Sequence, residues 1–160
     1  MAGATTSTTG FAVRLGLLAC VPDLDLLVPH SHRTASHSFL AVVVVGCIAA
    51  LAGRRRGRPS CLPLAGVVAA AYATHLLLDW LGEDMGPPAG IQVLWPVSDR
   101  WFVSGLNVFA GIDRQDPLAW KAVRENGMAL VREVLLLGPV LALAAWVGSR
   151  RSRAFAKRTG

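Results

Sequence analysis

Ser38-Phe39-Leu40-Ala41-Val42-Val43-Val44-Val45-Gly46-Cys47-Ile48-Ala49-Ala50-Leu51-Ala52-Gly53 carries no charge. With His37 in front it makes about 17 residues, or about 26 Å as a helix, near the lower limit for crossing the hydrocarbon of a bilayer. Four valines in a row would suit a buried strand. An open strand cannot cross lipid, however, because its backbone groups stay unpaired there. The stretch therefore reads as a helix, with Ser36 as the expected N-cap and Arg54-Arg55-Arg56-Gly57-Arg58 as its stop.

Outward from this helix the chain repeats the theme. Residues 1–9 are rich in Ser, Thr, Ala and Gly and are expected to be a disordered tail. Phe11 to Ala19 is a short apolar helix, extended towards Leu27 but interrupted by Pro22. A third span runs from Leu62 or Pro63 to Leu81 and ends at Gly82, with the Ala and Gly content that suits close helix packing in a bilayer. Residues 83–127 hold Pro87-Pro88, several glycines and Trp95, Trp101 and Trp120, with four basic against six acidic residues. They read as an outer loop with short amphipathic helices lying along the interface, where tryptophan prefers to sit. A last span covers about Met128 to Gly148, with Gly138-Pro139 as a kink point. The expected fold is all-α: an integral membrane bundle of about four helices over 10–149, followed by a basic cytoplasmic tail at 150–160.

Composition agrees. Charged residues make up 16 % and hydrophobic ones 53 %, with a mean hydropathy of +0.47; a soluble chain carries about 25 % charged residues. The net charge of +6 raises the question of nucleic acid. Nine of the sixteen Lys and Arg, however, fall in the run at 54–58 and the run at 150–158, each directly after an apolar stretch. That is a topology signal, and no nucleic-acid partner is expected. Cys20, Cys47 and Cys61 are odd in number and share no C-x-x-C spacing, so neither a disulfide framework nor a thiolate zinc site follows. Cys20 and Cys47 are expected to behave as small buried hydrophobes. Leu17-Leu18-Ala19-Cys20 loosely resembles a lipoprotein cleavage box, but its apolar run is very short and the N-terminus is expected to be retained.

Orientation links the spans to chemistry. Positive loops stay cytoplasmic, so both arginine runs belong inside, as do the N- and C-termini of this multi-pass protein of the inner or plasma membrane. His37 then lies at the outer end of the second span, and His75 with Asp79 in the outer part of the third. Asp23 and Asp25 emerge on the same side. His75 and Asp79 are four apart and share a helical face. Asp23, His37, His75 and Asp79 together offer two nitrogens and two oxygens, a donor set for a divalent metal: zinc first, with manganese or iron as alternatives. His32 and Asp25 would complete the shell, bind a second ion, or orient a ligand imidazole. Blander readings stay open: a His75–Asp79 pair that is purely structural, a capped turn at Asp23-Leu24-Asp25, and an Arg33 that reaches to headgroups. His30 reads as loop surface.

The motifs Val21-Pro22-Asp23-Leu24-Asp25, His32-Arg33-Thr34-Ala35-Ser36-His37-Ser38, His75-Leu76-Leu77-Leu78-Asp79 and Leu94-Trp95-Pro96-Val97-Ser98-Asp99-Arg100 resemble the YdjM-like family of predicted membrane-bound metal-dependent hydrolases. The resemblance covers about residues 11–148. That family looks distantly similar to the zinc-dependent phospholipase C and single-strand nuclease superfamily, and the resemblance implies that Asp23, His37, His75 and Asp79 share one zinc. Four histidines are too few for the three-metal cluster of the soluble enzymes. The expected activity is hydrolysis of phosphoesters in lipid or lipid-linked substrates at the outer face. Asp25 or Asp99 would accept a proton, and Arg33, with Arg100 as a second candidate, would hold an anionic group. The competing readings are an ion- or metal-coupled transporter component and a non-catalytic membrane protein with a structural metal.

Overall fold

A computed structural model describes residues 8–28, 31–57, 61–84, 87–112, 116 and 118–159. His30 lies outside them. The chain forms two compact units, Met1–Asn107 and Val108–Gly160. An isolated antiparallel bridge joins Ile91 and Phe102, and the named elements among the described residues are all helical.

In the first unit, α1 spans Thr8–Ala19, so Thr8 and Thr9, expected in a disordered tail, are helical. Pro22 sits in the first turn of a 3-10 segment, Val21–Leu27, and is buried. The rigid φ of proline suits this tight helix start, and the chain changes from α to 3-10 geometry there rather than continuing the span.

Helix α2, Phe39–Arg55, begins two residues later than expected. Ser38, not Ser36, is the N-cap. Its Oγ accepts from the Ala41 N–H at 3.2 Å and donates to the Ala35 carbonyl at 2.7 Å. Residues Ala35–His37 are held in a 3-10 turn, and the Ser36 hydroxyl is spent on Asp25. Helix α3, Leu62–Leu81, has proline in its first turn and stops at Gly82, whose N–H bonds the Asp79 carbonyl at 3.2 Å.

Helices α2 and α3 form an antiparallel hairpin held close by small residues. A Cβ at Gly46 would lie 3.2 Å from that of Ala69, and one at Gly53 only 2.6 Å from that of Cys61. Close backbone approach of this kind stabilises helix pairs where lipid removes any hydrophobic drive to associate. Tyr72, Leu76 and Ile91 form the buried apolar core, flanked by Ala41, Val42, Val45 and Val93. Outside this seam the hairpin is apolar and exposed, through Phe39, Val43, Ile48, Leu62 and Leu77 among others. Cys20 and Cys47 are also exposed, contrary to expectation, and Cys61 is the buried cysteine. Only 17 % of the apolar window of α3 is buried by the protein, whereas the core helix of a soluble protein is mostly buried.

The segment after α3 departs most from expectation. Among its described residues up to Ala119 there is no helix. Its part within the first unit folds back over the end of the hairpin through backbone bonds: Ser104 N to Trp80 O, Gln92 N to Arg33 O, and Phe39 N to Val93 O, each 2.9 Å. Ile91 inserts into the core beside Tyr72 and Leu76. Hydrogen bonding to the hairpin end, rather than amphipathic periodicity, shapes it.

In the second unit, α4 runs from Trp120 to Thr159 and is continuous through Pro139. It starts before the expected span and takes in the basic stretch expected as a tail. Lys121 and Glu125, 4.0 Å apart at i and i+4, support its exposed first turns. Among the described residues, two helical stretches are long and apolar enough to cross a membrane, Leu62–Leu81 and Trp120–Gly148. Helix α1, at 12 residues, and α2, at 17, are shorter.

Candidate metal centre

The polar cluster occupies the end of the α2–α3 hairpin opposite Arg54, Arg55 and Arg56. Three elements supply it: the 3-10 segment after α1 brings Asp23, the turn before α2 brings His37, and the last two turns of α3 bring His75 and Asp79. His37 Nε2 lies 3.1 Å from Asp79 Oδ2 and 3.9 Å from Asp23 Oδ1. His75 Nε2 lies 3.4 Å from both of those oxygens. Metal–ligand bonds of about 2.1 Å put the edges of a tetrahedral nitrogen–oxygen site at about 3.4 Å. The four nitrogen–oxygen separations, 3.1 to 3.9 Å, lie around that value.

Their surroundings sharpen the point. His37 is fully buried. His37 Nε2, His75 Nε2 and Asp79 Oδ2 are all buried, and although they pair with one another at 3.1 and 3.4 Å, none of these contacts has the alignment of a hydrogen bond. They are close yet not aligned on one another, as expected for atoms aimed at a common centre. Buried polar atoms without partners are expensive, and buried charges are ordinarily paired or bound to metal. Charge points the same way: the Arg33 guanidinium pairs with Asp84 and lies 3.8 Å from Asp79, while the carboxylates of Asp23 and Asp25 face the His37 ring. The cluster opens towards solvent at Asp23, whose side chain is 43 % exposed. His37, His75 and Asp79 form one grouping that could hold a metal ion, and Asp23, His32 and His37 another. The residues present fit a divalent cation.

Around the four atoms lies a second layer. Asp25 Oδ1 is 2.8 Å from His32 Nδ1. Asp25 Oδ2 accepts from the Arg33 N–H at 3.0 Å and from Ser36 Oγ, and it faces His37 Nδ1 at 3.0 Å. Burial would raise the Asp25 pKa; the hydrogen bonds from Ser36, His32 and the Arg33 backbone, with the nearby His37 ring, outweigh it and hold the carboxyl below its usual range. Tyr72 Oη, buried in the hairpin core, donates to the Ser36 carbonyl at 2.7 Å and pins the same turn. Arg33 adopts φ +62°, rare for a residue with a side chain. In that conformation its N–H reaches Asp25 and its carbonyl accepts from Gln92, while its guanidinium pairs with Asp84 and lies 3.8 Å from Asp79. Asp84 Oδ2 also accepts from the Gly90 N–H at 2.7 Å. Gly90 has φ +101° and packs so tightly on Phe102 that a Cβ would fall 2.3 Å from the Phe102 carbonyl oxygen.

The structure thus brings together Asp23, Asp25, His32, Arg33, His37, His75 and Asp79. Asp25 differs from the free carboxylate expected of a proton acceptor, since both its oxygens are engaged. Asp99 is exposed. Its backbone carbonyl accepts from Gln92 Nε2 at 2.9 Å, and among the described residues no contact joins its carboxylate to the cluster. Arg100 is likewise exposed, its N–H bonded to Ser98 Oγ. Sequence reasoning missed Asp84, Tyr72 and the part played by Ser36. Asp84 sits among polar loop residues with no periodic signal, and Tyr72, i−3 to His75 on α3, reads from sequence as an ordinary core aromatic.

Comparison with known proteins bears on the whole chain. A family model described as YdjM inner membrane protein matches residues 1–153. No curated protein and no solved structure matches it.

Proposed function

This chain belongs to the YdjM inner membrane protein family, and from that premise we propose that it is a metal-dependent hydrolase acting on phosphoesters of lipid or lipid-linked molecules at the outer membrane face. The observation that carries the proposal is the convergence of His37 Nε2, His75 Nε2 and Asp79 Oδ2, buried and without hydrogen bonds, on one point beside Asp23 Oδ1. In this reading α1 and α2 join the two longer apolar helices in a four-span bundle with both termini cytoplasmic. The exposed Arg54, Arg55 and Arg56 then keep their end of the hairpin inside, and the cluster falls at the outer headgroup level.

Asp23, His37, His75 and Asp79 would hold the cation, zinc by preference for a mixed imidazole and carboxylate set. A bound divalent cation would supply Lewis-acid polarisation of a phosphoryl oxygen and would acidify a water. The chain's own residues do the rest. Asp23, at the open side, lines the approach from solvent. Arg33, beside Asp79, holds an anionic group with a guanidinium fork that suits phosphate oxygens.

A second reading has an observation in its favour: Asp25 and Arg33 are both tied into internal hydrogen bonds and ion pairs, as in a purely structural metal site. One experiment separates the two. Protein purified in detergent is analysed for bound metal and then assayed on a panel of phosphoesters and phospholipids with and without chelator. The hydrolase reading expects chelator-sensitive turnover on at least one substrate. Stoichiometric metal with no turnover on any of them favours the structural reading.

A further inference from the structure

The contacts at Nδ1 of His37 require a proton on that nitrogen, and that requirement assigns a role to Asp25. Near Nδ1 lie Asp25 Oδ2 at 3.0 Å and Ser36 Oγ at 3.0 Å. The Ser36 hydroxyl donates its single proton to Asp25, so at Nδ1 it can only accept. Two acceptors at Nδ1 require a proton on that nitrogen. In the neutral ring, Nε2 then carries the lone pair. It faces carboxylate oxygens of Asp79 and Asp23 with no hydrogen bond to either.

We infer that Asp25 is a positioning residue: it fixes His37 in the Nδ1–H tautomer and so presents a bare Nε2 to the four-atom cluster. The inference rests on the metal-site reading above and deepens it. The same carboxylate holds His32 through its other oxygen and the Arg33 N–H beside Ser36. One side chain therefore fixes the turn that carries His37 and ties it to the 3-10 segment that carries Asp23. A carboxylate behind a ligand imidazole is a regular outer support of a metal histidine, and its loss typically lowers metal affinity about 10- to 100-fold. Asp25→Asn is nearly isosteric but replaces one acceptor oxygen by a donor NH2. It cannot satisfy the His32 side and the His37 side together.

The test uses the full chain in detergent micelles, with two readouts. The first is the tautomer of His37 in 15N-histidine-labelled protein without metal, assigned by difference from His37→Gln. The second is Zn2+ affinity by competition with a chromogenic chelator. The wild type is expected to show His37 as Nδ1–H, and Asp25→Asn to lose that signature and bind Zn2+ about 10- to 100-fold more weakly. Ser36→Ala, which removes one contact and keeps the carboxylate, is expected to lose less than tenfold in affinity and to retain the tautomer, and it serves if Asp25→Asn does not fold. A wild-type His37 that carries a proton on Nε2, or Zn2+ affinity in folded Asp25→Asn within twofold of wild type, overturns the inference. If the wild type binds no Zn2+, the metal-site reading fails, and the tautomer measurement decides the role of Asp25 by itself.

Discussion

The two ends of the α2–α3 hairpin are both rich in ionisable residues, and they handle them in opposite ways. At one end Arg54, Arg55 and Arg56 are exposed, and no ion pair involves them among the described residues. At the other, His37 is fully buried and Asp25 nearly so, and His75 and Asp79 keep buried atoms without hydrogen bonds. Exposed arginines at the end of an apolar helix cost little, because their long stems let the charge reach water or headgroups. Short aspartate and histidine side chains cannot escape in that way. Keeping them buried and close together makes sense where something positive is to be held between them.

Ligand removal tests that contrast most strongly. His75→Ala or Asp79→Ala removes one of the four converging atoms, and metal affinity should fall by more than the roughly 100-fold upper figure for an outer-layer loss. Equilibrium competition with a chelator measures it. Unchanged affinity in either variant would show that the cluster end is no different in kind from the arginine end.

Asp84→Ala comes next. The Arg33–Asp84 pair is largely buried, at 17 % and 16 % side-chain exposure. Removing one partner leaves a guanidinium short of charge and the Gly90 N–H without its acceptor, so a loss of roughly 2–4 kcal/mol is expected. Thermal or denaturant unfolding in detergent reads this. A change below about 0.5 kcal/mol, the range of an ordinary surface substitution, would mean the segment after α3 is not latched to the cluster.

Gly53→Leu probes the arginine end through packing. Its Cβ would meet Cys61, and overpacking at such a contact costs about 1–3 kcal/mol. Metal affinity should stay within about twofold, since Gly53 lies at the far end of α2 from His37. Coupled loss of stability and metal would show that the two ends are not independent.

These substitutions also mark what the sequence makes legible. The i, i+4 spacing of His75 and Asp79 reads directly, because helix geometry alone places them on one face. His37 could be matched to them because the charge bias of the loops sets the direction of each helix. Asp23 was legible through Pro22, which breaks the chain at that point. Asp84 was not, since its partner Arg33 is 51 residues away and meets it only through the backbone bonds of an irregular segment. That segment was itself misread: its tryptophans suggest helices at an interface, whereas its shape comes from pairing with Arg33, Phe39 and Trp80. The cap of α2 was missed for a related reason. Ser36 and Ser38 are equivalent as sequence signals, and only the position of Asp25 decides which hydroxyl is free to cap.

Tyr72→Phe is a smaller probe. It removes the hydrogen bond to the Ser36 carbonyl and should cost about 1 kcal/mol, visible as a modest shift in unfolding midpoint. A larger effect would show that this hydroxyl supports the cluster as a whole. Arg54, Arg55 and Arg56 changed together to Gln should alter stability least, by about 0.5 kcal/mol or less. Labelling of a single cysteine placed near Arg56 would still report which side of the membrane that end occupies.

Metal content per chain, measured on wild-type protein loaded with Zn2+ and freed of excess, bears most directly on the idea that His37, His75, Asp79 and Asp23 enclose a cation. The expected result is at least one tightly held ion per chain that is lost in the His75→Ala, Asp79→Ala double variant while the protein stays folded. Wild-type protein that retains no stoichiometric metal, or a folded double variant that keeps it, would contradict the idea.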